Sequence, residues 1–194
     1  MDTVRLFIAI SLPAAIKASL AELQKNLQVG GDQVKWVERE NFHLTLKFLG
    51  ATPQAKCPGI IQAMEEVAEN YNPFELRITG LGTFPARGRL KVVWAGLGGN
   101  KGQLVSLQAS LEQKLATFGF PPEQRQYTPH LTLGRIKAFA NLGDLPDRIN
   151  LLKNQGSAPW QVNAMELMQS TLTPAGPIYQ VLGRVPFPDT RSNR

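Results

Sequence analysis

Between Phe42 and Leu49 the chain alternates apolar and polar positions (FHLTLKFL), and the same alternation returns between Thr128 and Ile136 (TPHLTLGRI). Alternation with a period of two predicts a strand with one buried and one open face. Around these two segments the pattern changes period several times. Val4–Leu12 is almost wholly apolar and reads as a buried strand, closed by Pro13. Ala14–Leu27 carries apolar residues at 16, 20, 23 and 27, the spacing of a helix face. Gly30-Gly31-Asp32 predicts a turn, Val34–Val37 a short strand and Glu38–Asn41 a second turn. A helix is expected from Pro58 to Asn70, with Ile60, Ile61, Met64, Val67 and Ala68 inward, then a strand at Phe74–Thr79 and a glycine-rich loop at Gly80–Gly88. Leu90–Leu97 predicts a strand. Lys101–Phe118 predicts a helix capped by Asn100, with Leu104, Leu107, Leu111, Leu115 and Phe118 as its stripe. Leu142–Asn154 reads as a short helix broken near Pro146, and Trp160–Ser170 and Ile178–Val185 as strands joined by a turn at Thr173–Pro177. The polar stretch 186–194 reads as a flexible tail. This order, with no linker inside it, predicts one domain spanning 1–194, and the similar places of the two alternating segments in its halves suggest two lobes about an approximate two-fold axis.

Composition narrows what such a domain does. The chain of 194 residues is 43% apolar and 19% charged, the balance of a folded globular protein. No apolar run is long enough for a membrane span. The opening Met1–Arg5 lacks the layout of a secretory leader, and Cys57 is the single cysteine, so a reducing cytoplasm is the expected compartment. One cysteine and two histidines cannot build the usual four-ligand zinc site, so no metal and no cofactor is expected. The net charge of +6 favours an anionic partner. Nothing in the pattern calls for a membrane or an obligate protein partner, and a monomer suffices.

His43 and His130 are the only histidines, and each is followed by Leu-Thr-Leu. By average usage, that tripeptide follows a given histidine on the order of once in a thousand times. Strand alternation sets His43, Thr45 and Lys47 on one face against Leu44, Leu46 and Phe48, and His130, Thr132 and Gly134 against Leu131 and Leu133. Each polar face then offers an imidazole and a hydroxyl about 6–7 Å apart along the strand. Two imidazoles supply an acid and a base near neutral pH. Two hydroxyls can hold non-bridging phosphate oxygens, and Lys47 adds positive charge. The arrangement suits phosphodiester chemistry.

The doubled His-x-Thr-x motif, as HLTLKFLG at 43–50 and PHLTLGR at 129–135, resembles the two-histidine phosphoesterase superfamily. The flanking blocks RLFIAISLP, KWVERENFHLTLKFLG, TFP with the later VVWAGL, and STLTPAGPIYQVL are similar to its RNA 2',3'-cyclic phosphodiesterase branch, the bacterial and archaeal 2'-5' RNA ligases. The resemblance implies a two-lobed α+β fold, each lobe an antiparallel sheet with helices on its outer face, and a site in the cleft between the lobes. It implies His43 as proton donor, His130 as proton acceptor, and Thr45 and Thr132 as phosphate ligands. The implied substrate is RNA ending in a 2',3'-cyclic phosphate, tRNA fragments among the candidates, opened by water to a 2'-phosphate. A 5'-hydroxyl RNA instead of water gives reversible, ATP-independent 2'-5' ligation. The alternative substrates are 2'-5' linked oligonucleotides or nucleotide cyclic phosphates. The chain departs from the family where a Pro-Arg precedes Val-x-Trp: here Leu90-Lys91 stands, which keeps charge and loses the guanidinium fork.

Other residues have weaker claims. Strict alternation places Arg135 opposite His130 unless Gly134 marks a bulge, in which case it joins the phosphate-binding face. Tyr127 and Phe7 are candidates for stacking on a base, with core packing the alternative. Arg87, Arg89 and Lys91 form a basic loop suited to an RNA backbone. Trp36, Trp94 and Trp160 are expected in the core, and Cys57 is expected to be inert.

Overall fold

The computed structural model describes residues 2–28, 33–86, 88–137, 141–174 and 176–189. The turn expected at Gly30-Gly31-Asp32, Arg87 of the basic loop, Ala175 of the last turn and the final residues 190–194 lie outside these. Nine strands form two antiparallel sheets among the described residues. The four-stranded sheet has the order β3-β1-β8-β9, with β1 Thr3–Ser11, β3 His43–Pro53, β8 Ala164–Thr173 and β9 Gly176–Pro186. The five-stranded sheet has the order β2-β6-β5-β4-β7, with β2 Val34–Trp36, β4 Phe74–Phe84, β5 Val92–Gly99, β6 His130–Ile136 and β7 Trp160–Val162. The two-lobed α+β architecture is therefore present, and each lobe carries one histidine motif.

The helices cover the sheets on the faces where the apolar stripes point. In α1 (Ala14–Leu27) Ile16, Leu20, Leu23 and Leu27 are buried, and in α3 (Lys101–Ala116) Leu104, Leu107, Leu111 and Leu115 are. Full burial of one such side chain contributes roughly 1.5–3 kcal/mol. The helix α2 (Cys57–Ala68) lies against α3 and β9, and Ile61 packs directly over Gly183 of β9. α3 packs on β3, although it follows a strand of the other sheet. α1 does the reverse: it follows β1, yet Gln24 donates from its side chain to the Leu133 carbonyl of β6 at 2.7 Å. The two helices cross between lobes and tie them into one body. The short α4 (Leu145–Leu151) completes the second layer against α1 and β4.

Several expectations need correction. Gly80–Phe84 continues β4 rather than forming a loop, across a register shift between Ile78 and Leu81. Pro146 starts α4 rather than breaking it, because the first helical turn has no use for its missing N–H. The run from Trp160 to Ser170 is two strands in two sheets, parted at Asn163. Asn100 precedes α3 without capping it; its side-chain oxygen accepts the Glu75 N–H instead. Pro186 still belongs to β9, and Phe187 is 4% exposed against Phe74, so the polar tail starts after it.

Both motif strands carry a β-bulge at the same place. Ile8 faces Lys47 while Ala9 faces Thr45, which leaves Leu46 as an extra residue in β3. Val93 faces Gly134 while Trp94 faces Thr132, which leaves Leu133 extra in β6. An extra residue reverses the alternation downstream of it. Strict period two therefore holds through the threonine of each motif and fails beyond the second leucine.

Candidate active site

Leu44, Leu46, Leu131 and Leu133 are at most 2% exposed and fix the two motif strands to the core. Their polar neighbours His43, Thr45, His130 and Thr132 turn the other way and are half-buried. His43 Nδ1 lies 2.8 Å from the Asn41 carbonyl, and His130 Nδ1 lies 2.7 Å from the Thr128 carbonyl. A carbonyl only accepts, so in both rings Nδ1–H is the donor and Nε2 is the nitrogen left for chemistry. Neither Thr45 nor Thr132 engages its hydroxyl with another described protein group, so both remain available to a ligand.

The rings around the two histidines differ. Phe7 stands 4.9 Å from the His43 ring and Tyr179 stands 5.1 Å from it, edge-on. Phe84 stands 5.0 Å from the His130 ring, and Trp94 stands 6.4 Å away and packs on Phe84. Trp94 fits there because residue 82 is glycine; a Cβ at Gly82 would run into the indole. Burial lowers the pKa of His43, the hydrogen bond to the Asn41 carbonyl works against this, and the charge of Lys17 lowers it further.

The bulges decide which other side chains join the site. Lys47 does not. The bulge turns it inward, where at 5% exposed it pairs with Glu112 and donates to the Pro121 carbonyl at 3.0 Å. Glu112 is held by further donors, Gln108 Nε2 at 3.0 Å and the Glu123 N–H at 3.1 Å. Phe48 takes the outward place instead, 68% exposed, with its ring 6.2 Å from Phe7. In β6 the same inversion turns Gly134 toward the core, where a Cβ would lie 2.5 Å from Val34 and 2.9 Å from Trp36. Arg135 then points outward on the His130 side. Its charge, with that of Arg5, acts on Tyr179 of the other lobe against the upward pull of burial on that phenol. Lys47 and Gly134, and likewise Phe48 and Arg135, are thus counterparts in the two copies.

Tyr127 is a brace rather than a stacking platform. Its ring packs against the core and its hydroxyl donates to the Thr45 carbonyl at 2.8 Å, linking the approach to His130 with the strand of His43. Burial raises its pKa, so the hydroxyl stays a donor. Phe7 is buried yet walls His43, Trp94 belongs to the site rather than the core, and Trp160 is a core residue. Cys57 is partly covered, and burial raises its thiol, in keeping with inertness. Sequence reasoning missed Arg5, Phe48, Phe84 and Tyr179. Gly134 was the one local signal that alternation would break.

The comparisons with known proteins bear on this constellation. The family model described as LigT like Phosphoesterase matches residues 10–94 and 98–179, which includes both histidine motifs. The chain belongs to this family. Among LigT-like relatives, the RNA 2',3'-cyclic phosphodiesterase of Methanothermobacter thermautotrophicus is 39% identical over 91% of this chain and 95% of its own length. That of Aquifex aeolicus is 31% identical over 94% and 96%. The crystal structure of TT0787 of Thermus thermophilus superposes with a TM-score of 0.80 at 28% identity, covering 96% of this chain and 99% of that one. Escherichia coli LigT in its apo form gives 0.71 at 25% identity, covering 96% and 98%. No helix among the described residues is long and apolar enough to cross a membrane.

Proposed function

We propose that this protein, like its relatives named RNA 2',3'-cyclic phosphodiesterase, hydrolyses 2',3'-cyclic phosphate on RNA, that the group sits at the RNA end, and that the product is a 2'-phosphate. The observation that carries this reading is the matched pair of imidazoles. Each has Nδ1 fixed by the carbonyl two residues upstream, Nε2 free, and an unengaged threonine hydroxyl two residues downstream. His130 Nε2 takes a proton from the attacking water, and His43 Nε2 gives one to the departing 3'-oxygen, in line through phosphorus. The P–O3' bond breaks as the new P–O bond forms, and the phosphate remains on O2'. Thr45, Thr132 and Arg135 hold the non-bridging oxygens, where charge gathers in the transition state. With a 5'-hydroxyl in place of water, the same in-line attack joins RNA ends through a 2'-5' bond, with the 3'-oxygen leaving as a hydroxyl.

Burial favours the neutral form of His43 before substrate binds. A phosphate anion against Nε2 favours the imidazolium, so the acid acquires its proton as substrate arrives. The substrates are RNA ends with this chemistry, tRNA fragments included. The test is incubation with a short RNA ending in 2',3'-cyclic phosphate, followed by mapping of the product. A 2'-phosphate product supports the reading, and a 3'-phosphate product, or none, overturns it.

A further inference from the structure

The histidine motif is not the only pattern that occurs twice. The stripe of α1 reads Leu20-x-x-Leu23-Gln24-x-x-Leu27, and that of α3 reads Leu104-x-x-Leu107-Gln108-x-x-Leu111. Each helix precedes one histidine motif, and in each the glutamine is buried, at 7% exposed. A buried amide destabilises the fold unless its polar atoms are met, so both glutamines have fixed partners. We infer that Gln24 on α1, and Glu112 backed by Gln108 on α3, are positioning residues: each helix reaches across to the other lobe and clamps the bulge of its histidine strand, and together they set the separation of the two imidazoles. This rests on both histidines acting on one phosphate, as proposed above.

The clamp on β6 is direct. Gln24 Nε2 donates to the Leu133 carbonyl at 2.7 Å and to the Val37 carbonyl at 2.8 Å, which uses both N–H groups of the amide. Leu133 is the extra residue of the β6 bulge, on the strand that begins at His130. Its carbonyl also accepts the Val37 N–H at 2.9 Å.

The clamp on β3 has one more member. Gln108 Nε2 donates to Glu112 Oε1 at 3.0 Å, and Glu112 Oε2 pairs with Lys47, the residue after the extra Leu46 of the β3 bulge. The same node holds the segment that leads to the other histidine. Lys47 Nζ donates to the Pro121 carbonyl and Glu112 accepts the Glu123 N–H. Farther along, Tyr127 returns to the Thr45 carbonyl, and the Thr128 carbonyl orients His130. The strand of one imidazole and the approach to the other are thus pinned at one carboxylate.

A bulge interrupts the regular ladder, so each motif strand needs an anchor of another kind at that point. In-line transfer requires both Nε2 atoms within hydrogen-bond reach of one phosphate from opposite sides. Displacement by about 1 Å can lower such a rate by about 100-fold, whereas ground-state binding tolerates more. Loosening either clamp should therefore lower kcat more than it changes KM.

The test uses an RNA ending in 2',3'-cyclic phosphate. Gln24→Met keeps the side-chain length and removes both donors; Gln24→Asn, one methylene short of either carbonyl, is the second variant should the first not fold. The expected result is a kcat about tenfold lower, with KM within about twofold. Lys47→Met with Glu112→Leu replaces the ion pair by apolar packing that keeps the fold, yet releases Pro121 and Glu123. Its kcat should stay about tenfold low even though its urea midpoint returns toward that of the wild type. Ile16→Val, on the same stripe of α1 two turns before Gln24, is the control for lost stability and should keep the wild-type kcat. Undiminished kcat in either folded clamp variant overturns the clamp it removes, and an equal loss of kcat in Ile16→Val overturns both, while the phosphodiesterase reading stands. A wild type that does not open the cyclic phosphate overturns that reading and the clamps' role together.

Discussion

His43 and His130 are followed by the same three residues, fixed by the same Nδ1 hydrogen bond, and placed on strands with the same bulge, yet their surroundings are unlike. The hydrogen bond of His43 is partly buried and that of His130 is exposed. Phe7 and Tyr179 close around the first ring, from strands of its own sheet, and burial lowers its pKa. Phe84 and Trp94 flank the second. Past the bulge the copies diverge further: the first sends Lys47 into an ion pair with Glu112 and shows Phe48, while the second needs glycine at 134 and shows Arg135. A symmetric motif thus yields asymmetric surroundings, with the aromatic Phe48 shown past the first bulge and the cationic Arg135 past the second.

The largest expected effect tests what the copies share. His43→Ala and His130→Ala should each lower kcat for cyclic phosphate hydrolysis by about 10²–10⁴-fold, with far-UV circular dichroism unchanged. Retention of a tenth of the wild-type rate by either variant would break the pairing. The next effect tests where the copies differ. Lys47→Met leaves the half-buried Glu112 carboxylate without its cation, though still hydrogen-bonded by Gln108 and the Glu123 N–H, and should cost up to about 3 kcal/mol in urea unfolding. The double variant Lys47→Met with Glu112→Leu should recover most of that loss, and a single variant as stable as the wild type would return Lys47 to the cleft. Tyr127→Phe removes the donor to the Thr45 carbonyl. A loss of about 0.5–1.5 kcal/mol is expected, with kcat falling more than KM changes; an unaltered kcat would make Tyr127 a purely structural brace. The smallest effect concerns the lowered pKa of His43. The charge of Lys17 disfavours the His43 imidazolium, so Lys17→Met raises that pKa. With His43 as the acid, the falling limb of the kcat/KM profile should move to higher pH. Movement to lower pH, or none, would detach that limb from His43.

The legibility of the site follows the periodicity of its strands. His43, Thr45, His130 and Thr132 lie upstream of the bulges, where period two assigns faces correctly. Lys47 and Phe48 lie downstream of one, and strict alternation assigned both to the wrong face. Arg135 was placed correctly only under the condition that Gly134 marks a bulge. The helices α1 and α3 were legible because four leucine or isoleucine positions in each recur at helical spacing. The extension of β4 through Gly80–Phe84 was not, since glycine-rich sequence reads as a loop until a partner such as Trp94 is seen to need the space.

The sequence by itself determined the chemistry: two imidazoles, two hydroxyls, and apolar residues that anchor each strand, because local alternation and residue type need no partner to be read. Tertiary structure decided the rest. A bulge is fixed by the pairing of β3 with β1 and of β6 with β5, and the walls of each histidine come from strands remote in sequence. Burial, which separates the titration of His43 from its ordinary value, exists only once Phe7 and Tyr179 have closed around it, so the inequality of the two identical motifs is a property of packing.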